Sequence, residues 1–166
     1  VVSRTLTRQR VVRAVEGDVD AVGWHDEEGA ATVAVLYIRA GRLTDAHHRH
    51  FRWEGAGDEA VSAFLLQHYD EGSYFPREIL LPFPLPDRAA LAAVLSERAG
   101  RPVLLRAPEK GERLRLVELA RKNAEESARM RREKESAYRL LAERMASVFS
   151  LPVPPVRIEG YDISNL

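Results

Sequence analysis

Between residues 18 and 53 the chain reads DVDAVGWHDEEGAATVAVLYIRAGRLTDAHHRHFRW, and its apolar positions fall into three runs. Val19 to His25, Ala31 to Arg39 and Arg42 to Trp53 are rich in β-branched and aromatic residues, and Gly or charged turn formers bound each one. Such runs predict three strands. Asp26-Glu27-Glu28-Gly29 supplies acidic turn residues and a glycine able to take a positive φ, and Ala40-Gly41 is short enough to force an antiparallel neighbour, so the three form a meander. In the middle run both alternating sets are apolar: Ala31, Val33, Val35 and Tyr37 on one side, Thr32, Ala34, Leu36 and Ile38 on the other. A strand with two apolar faces needs cover on both.

The segments after Trp53 supply that cover. Asp58 is placed to cap a helix whose stripe is Val61, Phe64, Leu65 and Tyr69, ending near Gly72. Pro76 to Pro82 predicts a short apolar strand. Asp87 is placed to cap a second helix with Leu91, Val94 and Leu95 inward and Gly100 at its stop. In Pro102 to Ala107 the continuous run Val103-Leu104-Leu105 suits a buried parallel strand. From Glu109 the pattern is helical, with Leu114, Val117, Ala120 and Ala124 as the docking stripe, and from Arg121 to Glu135 nearly every residue is charged, which predicts a solvated helix. Tyr138, Leu141, Met145 and Phe149 restore an apolar face, and Pro152, Pro154 and Pro155 impose a stiff, extended connection. Before the meander, Val1 to Val15 reads as a short amphipathic helix ended by Gly17.

The order β-β-β-α-β-α-β-α is that of ribonuclease H-like α/β folds, a mixed five-stranded sheet with helices on both faces. Four segments are expected: a leading helix over 1–17, a central module over 18–128, a charged helix and proline linker over 129–157, and an isolated strand over 158–166.

Composition narrows the function without choosing it. Lys plus Arg equal Asp plus Glu, 25 against 25, so the chain lacks the overall basic excess of a freestanding nucleic-acid binder and any DNA contact must be local. Cysteine is absent, which removes disulfides and thiolate metal ligands and fits a reducing, cytoplasmic setting. No long apolar run suggests a membrane span. The missing initial Met and the strand-like close at Ser164-Asn165-Leu166 suggest a piece of something longer.

Ile158-Glu159-Gly160-Tyr161-Asp162-Ile163-Ser164-Asn165 resembles the opening strand of the C-terminal endonuclease domain of the UvrC family, a component of the excinuclease of bacterial nucleotide excision repair. Thr5-Leu6-Thr7-Arg8-Gln9-Arg10, Asp18 to Gly23, Ile38 to Leu43, Phe64 to Tyr69 and Leu119 to Ala124 resemble successive landmarks of the same family's central region. The resemblance implies a modular repair nuclease. An N-terminal GIY-YIG domain makes the 3′ incision, a helical hairpin binds UvrB, and a C-terminal ribonuclease H-like domain makes the 5′ incision ahead of a helix-hairpin-helix tail. It implies that residues 1–17 follow the UvrB-binding hairpin and that 158–166 open the 5′ nuclease. Asp162 would be a catalytic, metal-bridging carboxylate for Mg2+ or Mn2+, with its partner ligands beyond Leu166 and no 5′ incision by this stretch alone. The partners implied are UvrB, damaged double-stranded DNA and the other UvrC domains, with no membrane.

Whether the central module has its own nuclease site turns on carboxylates. Asp18 and Asp20 stand where such folds place their first acid, but a two-metal site needs further acids on the fourth strand and the last helix. There the sequence offers Glu78, Glu112 and Glu118, with Leu and Pro at the strand's end. A noncatalytic platform is the favoured reading; the alternatives are a cryptic metal-dependent nuclease using Asp18, Asp20 and Glu118, or an interaction module using Tyr138, Leu141 and Phe149. His48 and His50 share a strand face, with His25 as a neighbour, and read as polar surface before they read as metal ligands. Trp24 and Trp53 read as packing residues. Arg106, Lys110, Arg113 and Arg115, at a helix N-terminus, are the candidate DNA-phosphate contacts.

Overall fold

The computed structural model describes residues 17–70 and 72–159. Residues 1–16 of the leading helix expected over 1–17, and Asp162 with the rest of 160–166, lie outside the described residues. Two compact units divide at Ala128.

In the first unit the elements are β1 (Val19–Glu27), β2 (Ala30–Arg39), β3 (Arg42–Arg52), α1 (Gly57–His68), β4 (Glu78–Leu80), α2 (Arg88–Ala99), β5 (Leu104–Arg106) and the start of α3 (Gly111–Val148). The sheet runs β3-β2-β1-β4-β5. Antiparallel pairing joins β1 to β2 and β2 to β3, and parallel pairing joins β4 to β1 and to β5. This is the order and mixed five-stranded sheet that the hydrophobic pattern predicts. Both hairpins close through two residues of positive φ, Glu28 with Gly29 and Ala40 with Gly41, which matches the twist of the flanking strands.

The central position of β2 explains its doubly apolar sequence, since Val33, Ala34, Val35 and Leu36 are all fully buried. One core joins Val22, Val33, Val35 and Ile79 to Val61, Phe64 and Leu65 of α1 and Leu91 and Leu95 of α2. The other joins Val19, Ala21, Leu36, Ile38 and Leu80 to Leu116, Val117 and Ala120 of α3. Gly23 marks where α3 lies closest to the sheet: a Cβ there would stand 2.1 Å from the Ala120 carbonyl carbon.

Several local expectations give way to packing. Leu116 replaces Leu114 in the buried α3 stripe, because α3 starts at Gly111 and its sheet-facing side is turned accordingly. Val94 is 38% exposed, on a flank of α2 that only Leu91 and Leu95 turn inward. β5 is an edge strand, so Leu104 between buried Val103 and Leu105 is 47% exposed. Asp58 lies inside the first turn of α1, whose N-cap is Ala56. Asp87 does precede α2, but its carboxylate accepts from Ser62 Oγ at 2.9 Å instead of capping. Gly100 ends α2 in the left-handed conformation, as predicted.

In the second unit the α3 residues from Arg129 are laced by Arg129–Glu133 and Arg131–Glu135 pairs at 2.5 and 2.7 Å. Tyr138, Leu141 and Phe149 are more than half exposed. No helix among the described residues is long and apolar enough to cross a membrane.

Candidate functional site

Asp18 stands just before β1 and Asp20 within it, the positions where the sequence predicts the first acids of a nuclease site. Asp20 has no exposed surface. Arg39, at the end of β2, donates from Nη1 to Asp20 Oδ1 at 2.5 Å, and Tyr69, just past α1, donates its hydroxyl to Oδ2 at 2.6 Å. Both oxygens are therefore engaged. Burial raises the Asp20 carboxyl above its ordinary pKa against the opposing pull of Arg39 and Tyr69, and the Asp20 hydrogen bond helps to raise Arg39. Tyr69, buried beside that carboxylate, is pushed well above the usual phenol range. Asp18 accepts from the Tyr74 hydroxyl, and Arg39 lies over the Tyr74 ring at 4.8 Å.

Glu78, the acid of β4, is also buried. Arg113 Nε of α3 sits 2.9 Å from its Oε2, and Arg106 Nε of β5 sits 3.0 Å from its Oε1. In the parallel register Val19 pairs with Glu78 and Asp20 with Ile79. Paired residues share a sheet face and successive residues alternate. Glu78 thus lies on the α3 face, while Asp20 lies on the α1 face.

These residues do not fit a two-metal site. Each buried carboxylate is already matched by arginine, the two face opposite ways, Glu112 is held by Arg115, and Glu118 is exposed on α3. Among the described residues, no group of three or more His, Asp or Glu is placed to hold a metal ion.

The histidines follow their strand register. His25 and His50 both pair with Thr32, and His50 Nδ1 is 2.9 Å from Thr32 Oγ1 with its Nε2 3.2 Å from Ser127 Oγ of α3. His47 lies on the other face, its ring 5.4 Å from that of His68. His68 shares a 2.9 Å hydrogen bond with the Tyr37 hydroxyl, and burial lowers its pKa to about 4. Trp24 packs on Phe51 and donates to Asp26; Trp53 meets Phe51 edge-on and donates to the Ala56 carbonyl.

The basic candidates of the α3 N-terminus are brought together with acids. Arg106 and Arg113 share Glu78, Arg115 holds Glu112, and Lys110 forms no ion pair with a carboxylate among the described residues. Sequence reasoning missed Arg39, Tyr69 and Tyr74 as partners of the β1 acids. The available signal was Arg39 closing an otherwise apolar β2.

Residues 18–131 match the family described as UvrC Ribonuclease H-like domain. The chain is 41% identical to UvrABC system protein C of Geobacter sp. (strain M21) over 98% of its own length and 25% of that protein's. With the protein of the same name from Thermus thermophilus it shares 41% over 96% of its length and 26% of the relative's. With that from Syntrophotalea carbinolica it shares 39% over 99% and 27%. The chain spans about a quarter of the length of these curated relatives.

Proposed function

The chain belongs to the UvrC ribonuclease H-like domain family, and from that premise we propose that residues 18–128 form a noncatalytic platform within the excision-repair subunit. It holds the subunit's nuclease domains and its UvrB-binding hairpin at working separations around damaged double-stranded DNA, in the cytoplasm. One observation carries the noncatalytic reading: Asp20 and Glu78, the buried acids of the first and fourth strands, face opposite sides of the sheet and are each held by arginine. Where a nuclease holds divalent cations between carboxylates, this module holds guanidinium groups.

The 5′ incision belongs in this reading to the domain that Asp162 opens, where Asp162 would be one carboxylate ligand of a Mg2+ or Mn2+ ion, which would supply Lewis-acid chemistry there. DNA is held in part through Arg106, Lys110, Arg113 and Arg115. Glu78 and Glu112 cancel two of those four charges and Glu109 stands beside Lys110, which leaves a local excess of one.

The test uses full-length protein with UvrB on a damaged duplex. Asp162→Asn is expected to abolish the 5′ incision and spare the 3′ incision, while an Asp18→Asn/Glu118→Gln variant keeps both. Manganese-dependent nicking by residues 1–166, lost in Asp18→Asn, would overturn the platform reading.

A further inference from the structure

The arginines of the first unit divide by what they hold. Arg39, Arg106, Arg113, Arg115 and Arg121 each hold a carboxylate, and Arg98 and Arg101 donate to backbone carbonyls of Leu66, Tyr69 and Phe75. The side chains of Arg52, Arg77 and Arg88 do neither among the described residues, and the same holds of Arg42 and Arg49, which are both exposed. They lie on β3, one edge of the sheet, whose outer backbone groups no other strand of the sheet covers. Between Arg42 and Arg52 the strand carries three arginines and three histidines against one acid, Asp45.

The register aligns Arg42 with Arg49. Arg49 pairs with Val33 and Arg42 with Arg39, and the bulge at Tyr37/Ile38 keeps both on the α1 face, with exposed His47 between them. Seven residues at about 3.3 Å each separate them by roughly 23 Å, the length of about seven base pairs at 3.4 Å. Asp45 sets one exposed negative charge in that line, its carboxylate turned to accept from the Ala46 amide at 2.8 Å, so the edge keeps one net positive charge from Arg42, Asp45 and Arg49. Arg52 is a weaker member, because Glu54 and Glu59 line the same shallow depression beside Trp53.

We propose that the open edge of β3 contacts the phosphate backbone of double-stranded DNA through Arg42 and Arg49. The proposal rests on the reading that the platform is held against DNA, and it adds a contact on the sheet edge opposite β5. Four inter-strand steps of about 4.8 Å place the two edges roughly 19 Å apart. Exposed guanidinium groups that hold no carboxylate among the described residues release counterions from DNA without first breaking such a pair, whereas Arg106 and Arg113 hold Glu78.

The experiment is equilibrium binding of full-length protein to a duplex oligonucleotide across a salt series. An Arg42→Gln/Arg49→Gln variant is expected to bind more weakly and to shallow the slope of log K against log salt by about 1.8, at about 0.9 per phosphate contact. Arg42→Lys/Arg49→Lys, which keeps both charges, should restore the slope. Both positions are exposed, so an unchanged melting temperature checks the fold. An unchanged slope overturns the proposal, as does an unchanged slope with weaker UvrB binding, which would make this edge a protein contact. If an Arg106→Gln/Lys110→Gln variant alone shallows the slope, only the β3 contact fails. If neither variant does, the DNA contact of the platform fails with it.

Discussion

Asp20 and Glu78 are offset by one position in the parallel register of β1 and β4, so the two buried carboxylates point through opposite faces of one sheet. Neither can reach the other's cation. Asp20 is part of a hydrogen-bonded cluster with Arg39 and Tyr69 on one side, where Arg39 also lies over the Tyr74 ring, and Glu78 is a clamp between β5 and α3 on the other.

The Asp20–Arg39 pair is expected to behave as a buried ion pair. Arg39→Met strands a carboxylate in a site with no exposed surface and should cost about 3–5 kcal/mol in a denaturant titration. Asp20→Leu/Arg39→Met should recover much of that loss, since the charge is removed together with its partner. A double variant as unstable as the single one would show that Arg39 acts through packing alone.

Tyr69→Phe keeps the ring against Phe75 and deletes only the hydroxyl that donates to Asp20 Oδ2. Hydrogen bonds to charged groups contribute about 1.5–3 kcal/mol, and the loss should fall in that range. Chemical denaturation of Tyr69→Phe in the Asp20→Leu background should show much less. Equal losses in both backgrounds would count against the bond.

Gly23→Ala should be severe for its size. The added methyl meets the Ala120 carbonyl carbon and oxygen at 2.1 and 2.2 Å, and backbone cannot rotate aside as a side chain can. Overpacking costs about 1–3 kcal/mol, and the upper end is expected here. A melting temperature equal to that of the parent would mean that α3 can lift from the sheet freely.

His68 makes stability depend on pH in a known direction. Its folded pKa of about 4 lies below the ordinary value of 6.5, so the unfolded chain takes up the proton first. The stability contributed by neutral His68 is complete above about pH 6.5 and falls as pH is lowered toward 4. His48 is shifted the same way, so the measurement is the difference between the parent and His68→Gln in denaturant midpoints across that window. A difference that stays constant with pH would remove His68 from the acid response.

The sequence by itself determined the element order and the meander, because strand alternation, helical spacing and turn residues are local properties of the chain. It also determined that β2 would be covered on both faces, since only a central strand can bury two apolar sets. The family was legible for the same reason, in short stretches spread over the chain. Tertiary structure decided the rest. Spacing along the chain does not say which residue of β4 stands beside Asp20, because a parallel register is set by the packing of the crossover helix and not by a turn. That register put Glu78 on the α3 face, gave Arg39 and Tyr69 to Asp20, and paired Arg106 and Arg113 with Glu78. The strand order left β5 at an edge with Leu104 exposed, and left Arg42 and Arg49 exposed on the opposite edge with no ion pair among the described residues. Pairing between distant charges depends on burial and distance, and those exist only once the sheet has closed.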